Sequence, residues 1–197
     1  MKKLESSLTN MVLVLTCVAV FMGALLALVN HITQGPKAKQ EALAKANGIK
    51  EVMCTDKLTV DTTYTITKDF GGKSYEFEVN RIVDDNKQPL GVAIQSTTLG
   101  FGGDLKVLVG FDNEGNVKGY TLLAHTETPG LGAKADQWFQ KDGKGSIIGK
   151  NPGEKPLGVT KDKKAEEQQV DAITASTITS RAFLKAINQA YDAYFKK

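Results

Sequence analysis

A chain of 197 residues, 41% hydrophobic and 24% charged, has room for one globular domain and a short extra element, and is too apolar to be a disordered polar chain. Its net charge of +3 is spread over lysines interspersed with Asp and Glu, and the only arginines are Arg81 and Arg181, so there is no basic stripe for a nucleic acid. Cys17 and Cys54 form no CxxC pair and lie far in sequence from His31 and His125, which argues against a zinc or iron–sulphur site built by this chain alone.

From Ser6 to Asn30 no residue is charged, and Met11 to Val29 is apolar apart from Thr16 and Gly23. At helical rise that stretch covers about 28 Å, close to the thickness of a hydrocarbon core. The pattern predicts an uncleaved signal-anchor helix over residues 8–30, behind a short flank at 1–7. Lysines flank both sides, so charge bias alone does not orient it. Gly35-Pro36 is expected to end this helix, and Lys37 to Asn47, rich in Ala, Lys, Glu and Gln, to form a short stalk helix that Gly48 stops. Leu43 and Ile49 are its expected contacts; stalk and linker take residues 31–55.

Residues 56–197 read as one α+β domain built on a mainly antiparallel sheet. Tyr75, Phe77 and Val79 alternate with polar residues, as do Leu105, Val107, Val109 and Phe111; Leu90 to Thr97 and Val117 to Ala124 read as two further strands. Asp112 to Asn116 is the turn of a hairpin. Between strands, Thr98 to Asp104 sets three glycines around Phe101, a backbone that bends tightly or approaches something closely. After the hairpin, His125 to Gly132 is a Pro-Gly turn carrying His, Glu and two Thr; without a nearby nucleophile it makes a poor acid/base pair, and no catalytic residue is assigned. Trp138-Phe139 is expected in the core, residues 141–164 as a solvated lysine- and glycine-rich excursion, and Gly158 to Thr160 as a last short strand.

The final segment puts Phe183, Ile187, Ala190, Tyr191 and Tyr194 on one helical face. Ahead of it runs Val170 to Ser180, dense in hydroxyl and small residues, the pattern of a helix N-terminus and a natural place for a phosphate.

The anchor, the Gly-aromatic-Gly-Gly-Asp segment, the run His125 to Gly132 and the run Asp171 to Ser180, in that order, closely resemble the FMN-binding G subunit family of the Rnf electron-transport complex. The C subunit of the Na+-translocating NADH:quinone reductase shares the domain. The family motif is Ser/Thr-Gly-Ala-Thr-x-Thr/Ser, whose fourth residue carries FMN through a phosphoester. Here those four residues read Thr174, Ala175, Ser176 and Thr177, with Ala175 in place of the usual Gly and Ser176 in place of the usual Ala. The resemblance implies covalent FMN on Thr177, with Thr174, Ala175 and Ser176 around the phosphate and Glu127, Thr128, Gly130 and Leu131 toward the ring. If the replaced Gly needs positive φ, Ala175 is strained. No His or Lys lies within six residues of Thr177 to activate it, so a separate flavin transferase is expected.

The resemblance further implies a single-pass protein of the inner (cytoplasmic) membrane with its domain on the periplasmic side. It would relay electrons within an ion-translocating ferredoxin:NAD+ oxidoreductase, beside the other membrane and peripheral subunits of the complex. Two other readings stand beside this one: a covalent-FMN subunit of the quinone reductase, and a cofactor-free anchored scaffold.

Overall fold

The computed structural model describes residues 7–162 and 167–196. The chain divides into two compact units, the second beginning at Ala44. Helix α1, Leu8–Met53, is continuous and includes Pro36. Gly35-Pro36 therefore does not end it, and neither does Gly48. Proline removes one N–H, the one that would donate to the Ile32 carbonyl. The residues on both sides still favour helix: an apolar run whose backbone must bond internally if it crosses a bilayer, and a run of strong helix formers. The apolar part, up to Ile32, is exposed, and so is Leu43, against the expectation of a packed residue there.

In the second unit, α1 ends with Cys54 at φ 53°, the Cys54 N–H donating to Glu51 O at 3.1 Å. Five strands follow as an antiparallel meander in sequence order: β1 Thr59–Phe70, β2 Lys73–Val83, β3 Pro89–Leu99, β4 Asp104–Phe111 and β5 Val117–Ala124. The sheet and its packed helices make the α+β class expected. Strand β1 has no clear signature in the sequence. It lies at the sheet edge, is rich in threonine and is mostly exposed, so no buried alternation marks it.

Both faces of the sheet are covered. On one, Phe77, Val79, Ile94, Val107, Val109 and Phe111 pack against Phe183, Ile187 and Ala190 of helix α3, Thr177–Phe195, as its apolar face requires. On the other, Ile49, Val52 and Met53 lie on Ile82, Ala93 and Leu108. Gly110 and Gly119, paired across β4 and β5, let this last turn of α1 come close: a Cβ on Gly119 would sit 2.8 Å from the Val52 carbonyl oxygen. Gly48 has the same use, a Cβ there meeting Thr121 at 3.0 Å.

Short helix α2, Ala135–Trp138, leads to Phe139, fully buried and stacked on Phe183 at 4.4 Å. Trp138 is half-buried, and its indole N–H donates to Asp171 O at 2.8 Å. The stretch expected as a solvated excursion is instead packed: Ile147 is buried and donates to Phe139 O at 3.0 Å, while Gly149 donates to Val117 O at 2.8 Å. Its residues 163 and 164 lie outside the described residues. Strands β6, Leu157–Val159, and β7, Gln168–Val170, pair in parallel beside α3. Lys68 of β1 donates to the carbonyls of Asp192 and Lys196, a cation at the C-terminal end of α3.

Candidate functional site

The hydroxyl-rich run opens α3 as expected, by way of a tight turn. The Ser176 N–H donates to Ile173 O at 3.0 Å, closing a four-residue turn with Ala175 third, at φ 62°. That position takes glycine when φ is positive, so the strain anticipated at Ala175 is present. Ser176 is the N-cap, but its side chain makes no cap hydrogen bond. The first-turn N–H groups of Thr177, Ile178 and Thr179 have no intrahelical acceptor, and no other acceptor faces them among the described residues. Three free N–H groups at the positive end of a 19-residue helix favour an anion.

The five hydroxyl side chains of the run differ in what they already do. Ser180 accepts from Ile173 N–H and donates to Ser176 O, and Thr179 donates to Glu127 Oε2 at 2.6 Å. Thr174 is exposed in the turn, and Ser176 is buried. Thr177 is half-buried, and its hydroxyl makes no hydrogen bond among the described residues.

Facing this turn is the Pro-Gly loop. Glu127 is 5% exposed, and each of its oxygens is engaged: Oε1 accepts from Phe101 N–H at 2.7 Å and Gly102 N–H at 3.3 Å, Oε2 from Thr179. Three donors and no acceptor are the set that a carboxylate uses. Gly100 and Gly132 are accounted for by this group, since a Cβ at Gly100 would collide with Oε1 and one at Gly132 with Oε2. His125 is half-buried, and its Nδ1 accepts from the Glu127 N–H at 3.3 Å, a turn contact.

Between these segments lies a pocket of about 350 Å³. Of the residues expected there, Glu127, Thr128, Leu131, Ala175, Ser176 and Thr177 line it, while Thr174 and Gly130 do not. Phe101, Gly132, Ile178 and Thr179 line it as well. The glycine segment around Phe101 stands out in the sequence, but nothing there points to Thr179, whose burial depends on meeting Glu127. Among the described residues Glu127 is the single charged group of the lining, so the N–H cluster is what is left for an anion. Phe101, Leu131 and Ile178 are exposed apolar side chains around the opening, at 67%, 41% and 54%. An apolar rim beside an N–H cluster fits a planar aromatic group that carries a phosphate, as FMN does.

Size alone would choose elsewhere: spaces of about 710 Å³ over strands β1 to β4 and about 440 Å³ at the C-terminal end of α1 are both larger, and neither is lined by a helix start. A space of about 510 Å³ opens further along α3, among Phe70, Leu157, Arg181, Lys185 and Asn188. There the Arg181 guanidinium is held by Asp162, whose hydrogen bond raises its pKa, and Asn188 is committed to the Leu157 backbone in both directions. That cavity offers neither a helix start nor a free hydroxyl run.

A domain profile described as an FMN-binding domain matches residues 100–192, the span that holds every wall of the smaller pocket. The G subunit of the Na(+)-translocating ferredoxin:NAD(+) oxidoreductase complex of Acetobacterium woodii is 29% identical over 194 residues, 92% of this chain and 89% of that protein. The G subunit of the ion-translocating oxidoreductase complex of Vibrio parahaemolyticus is 32% identical over 172 residues, 83% of this chain and 78% of its own length. The crystal structure of the C subunit of Na(+)-translocating NADH-quinone reductase from Parabacteroides distasonis superposes with a TM-score of 0.53 at 15% identity, over 83% of this chain and 96% of that one, and so shares the fold. These relatives and the apolar part of α1, long enough to cross a bilayer, together mark the protein as membrane-anchored. By its likeness to relatives along most of their length, the chain belongs to the family of G subunits of ion-translocating oxidoreductase complexes.

Proposed function

We propose that this chain carries FMN through a phosphoester to Thr177 and serves as an electron-carrying subunit of an ion-translocating ferredoxin:NAD+ oxidoreductase complex. The observation that carries this reading is the Thr177 hydroxyl in the lining of a pocket, beside three N–H groups, all without hydrogen-bond partners among the described residues. Of the hydroxyls in the run, Thr179 and Ser180 are already committed and Thr174 lies outside the lining. Ser176 shares the pocket but is buried at the N-cap, whereas Thr177 is half-exposed.

FMN, when bound, supplies one- and two-electron transfer. The chain's own residues do the rest. The N–H groups of Thr177, Ile178 and Thr179 hold the phosphate, with the helix dipole behind them. Phe101, Leu131 and Ile178 give apolar surface to the ring, with Thr128 beside them. Glu127 turns both oxygens to three donors of the pocket walls, the Phe101 and Gly102 amides and the Thr179 hydroxyl.

Among the described residues no lysine, arginine or histidine lines the pocket. The one carboxylate there, Glu127, has both oxygens engaged, so the lining offers Thr177 no free base, which supports a separate flavin transferase as partner. The other partners are the remaining subunits of the complex, and the domain is read as extracytoplasmic, on the periplasmic side of the inner membrane.

The test is the full chain made together with its transferase, run on a denaturing gel. Wild type is expected to fluoresce and Thr177→Ala to be dark, with the mass of the wild-type peptide spanning Val170 to Arg181 raised by one flavin phosphoryl group. Equal fluorescence in both, or an unmodified peptide from the native host, overturns the assignment.

A further inference from the structure

Three separate stretches wall the pocket: the loop with Phe101, the loop from Glu127 to Gly132 and the first turn of α3. A single carboxylate ties all three together. Glu127, on the second stretch, accepts from two N–H groups of the first and from the Thr179 hydroxyl on the third. Thr179 follows Thr177 by two residues, about 200° around the helix, so its side chain leaves the opposite side of the turn and is 1% exposed. The Thr98 hydroxyl also reaches α3, at the Ala182 carbonyl, but it holds the end of β3 and not the glycine loop beyond it.

We propose that Thr179 is a positioning residue. Through Glu127 it locks the glycine loop at Phe101 and Gly102 to the first turn of α3, and so fixes the width of the slot that opens beside Thr177. This deepens the functional reading above, since the turn it fixes is the one that carries the attachment residue. The clasp is a property of the folded chain and needs no ligand to form. Loss of the Thr179 hydroxyl leaves Glu127 Oε2 buried without a donor, and that loss is transmitted to two amides which Thr179 never touches.

Amide hydrogen exchange on the full chain, before any flavin is attached, tests this. Thr179→Val, which keeps the shape and removes the hydroxyl, is expected to speed exchange at Phe101 and Gly102 roughly tenfold, the factor that one lost hydrogen bond carries. Val107 and Val109 in the sheet should keep their protection. Thr179→Ser restores the hydroxyl and is expected to return both loop amides to wild-type rates. Unchanged exchange in the valine variant overturns the proposal. So does equal loosening in the serine variant, which would assign the effect to the lost methyl. If the valine variant does not fold, the serine variant decides alone: retained protection upholds the clasp and lost protection overturns it. Because no flavin takes part, an unmodified Thr177 peptide would sink the functional reading and leave the clasp standing.

Discussion

Ala175 is where the local backbone conflicts with its residue. A left-handed φ of 62° costs an L-residue about 1–2 kcal/mol, while glycine costs about 0.5–1 kcal/mol in unfolded-chain entropy. Ala175→Gly is therefore expected to stabilise the domain by roughly 0.5–1 kcal/mol, a rise in Tm of about 1–4 °C for a domain of this size, read by calorimetry. No rise, or a fall, would show that the turn has relaxed around the alanine. This feature is legible in the sequence: the register against the attachment motif singles out Ala175, and the strain follows from the missing glycine. The Glu127 clasp is not, because residues 127 and 179 meet only after the sheet has brought two distant segments together. Glycines 100, 102 and 132 are visible as signs of close approach, but not what they approach.

At the scale of elements, the alternation of Phe77 with Val79 and of Leu105 to Phe111 is enough to place β2 and β4, and the hydroxyl run enough to start α3. Punctuation misleads. Gly35-Pro36 and Gly48 both read as stops, yet one proline does not break a helix that its neighbours favour on both sides, and Gly48 serves closeness to Thr121 and Leu108.

The turn between β4 and β5 forms where its residues place it, and its chemistry is titratable. Burial by itself would raise the Asp112 pKa. The Asn116 side chain and the N–H groups of Asn116, Glu114 and Gly115 outweigh it and hold the carboxyl below its ordinary value. A carboxyl depressed in the folded state stabilises the fold above the unfolded value, near pH 4, and that contribution is lost as pH falls through the folded one. Asp112→Asn is thus expected to lower Tm at pH 7 and to make the fall in Tm between about pH 5 and pH 2 shallower than in wild type. Parallel Tm curves for the two proteins would remove Asp112 from the acid response.

At the scale of the molecule, the unit that begins at Ala44 carries the pocket and α1 carries the apolar span. Lysines on both sides of that span leave its orientation undecided by charge. The structure supplies a handle, because Cys54 is exposed and Cys17 lies within the apolar stretch. A membrane-impermeant maleimide applied to intact cells is expected to label the wild-type chain and not Cys54→Ser, as an extracytoplasmic domain requires. Labelling that occurs only after the cells are opened would put the domain on the cytoplasmic side.

Sequence order also sets the order of assembly. The pocket has three walls, and the wall with Thr177 belongs to α3, which follows every strand in the sequence. As a ribosome adds about 5–20 residues per second, the sheet and both loops emerge before the first turn of that helix. A chain stopped short of Thr177 has two walls, an uncovered sheet face and no cluster of free N–H groups. Under the attachment proposed above, a transferase that recognises the assembled pocket would find its substrate only once α3 has docked, and modification would follow folding by virtue of sequence order alone.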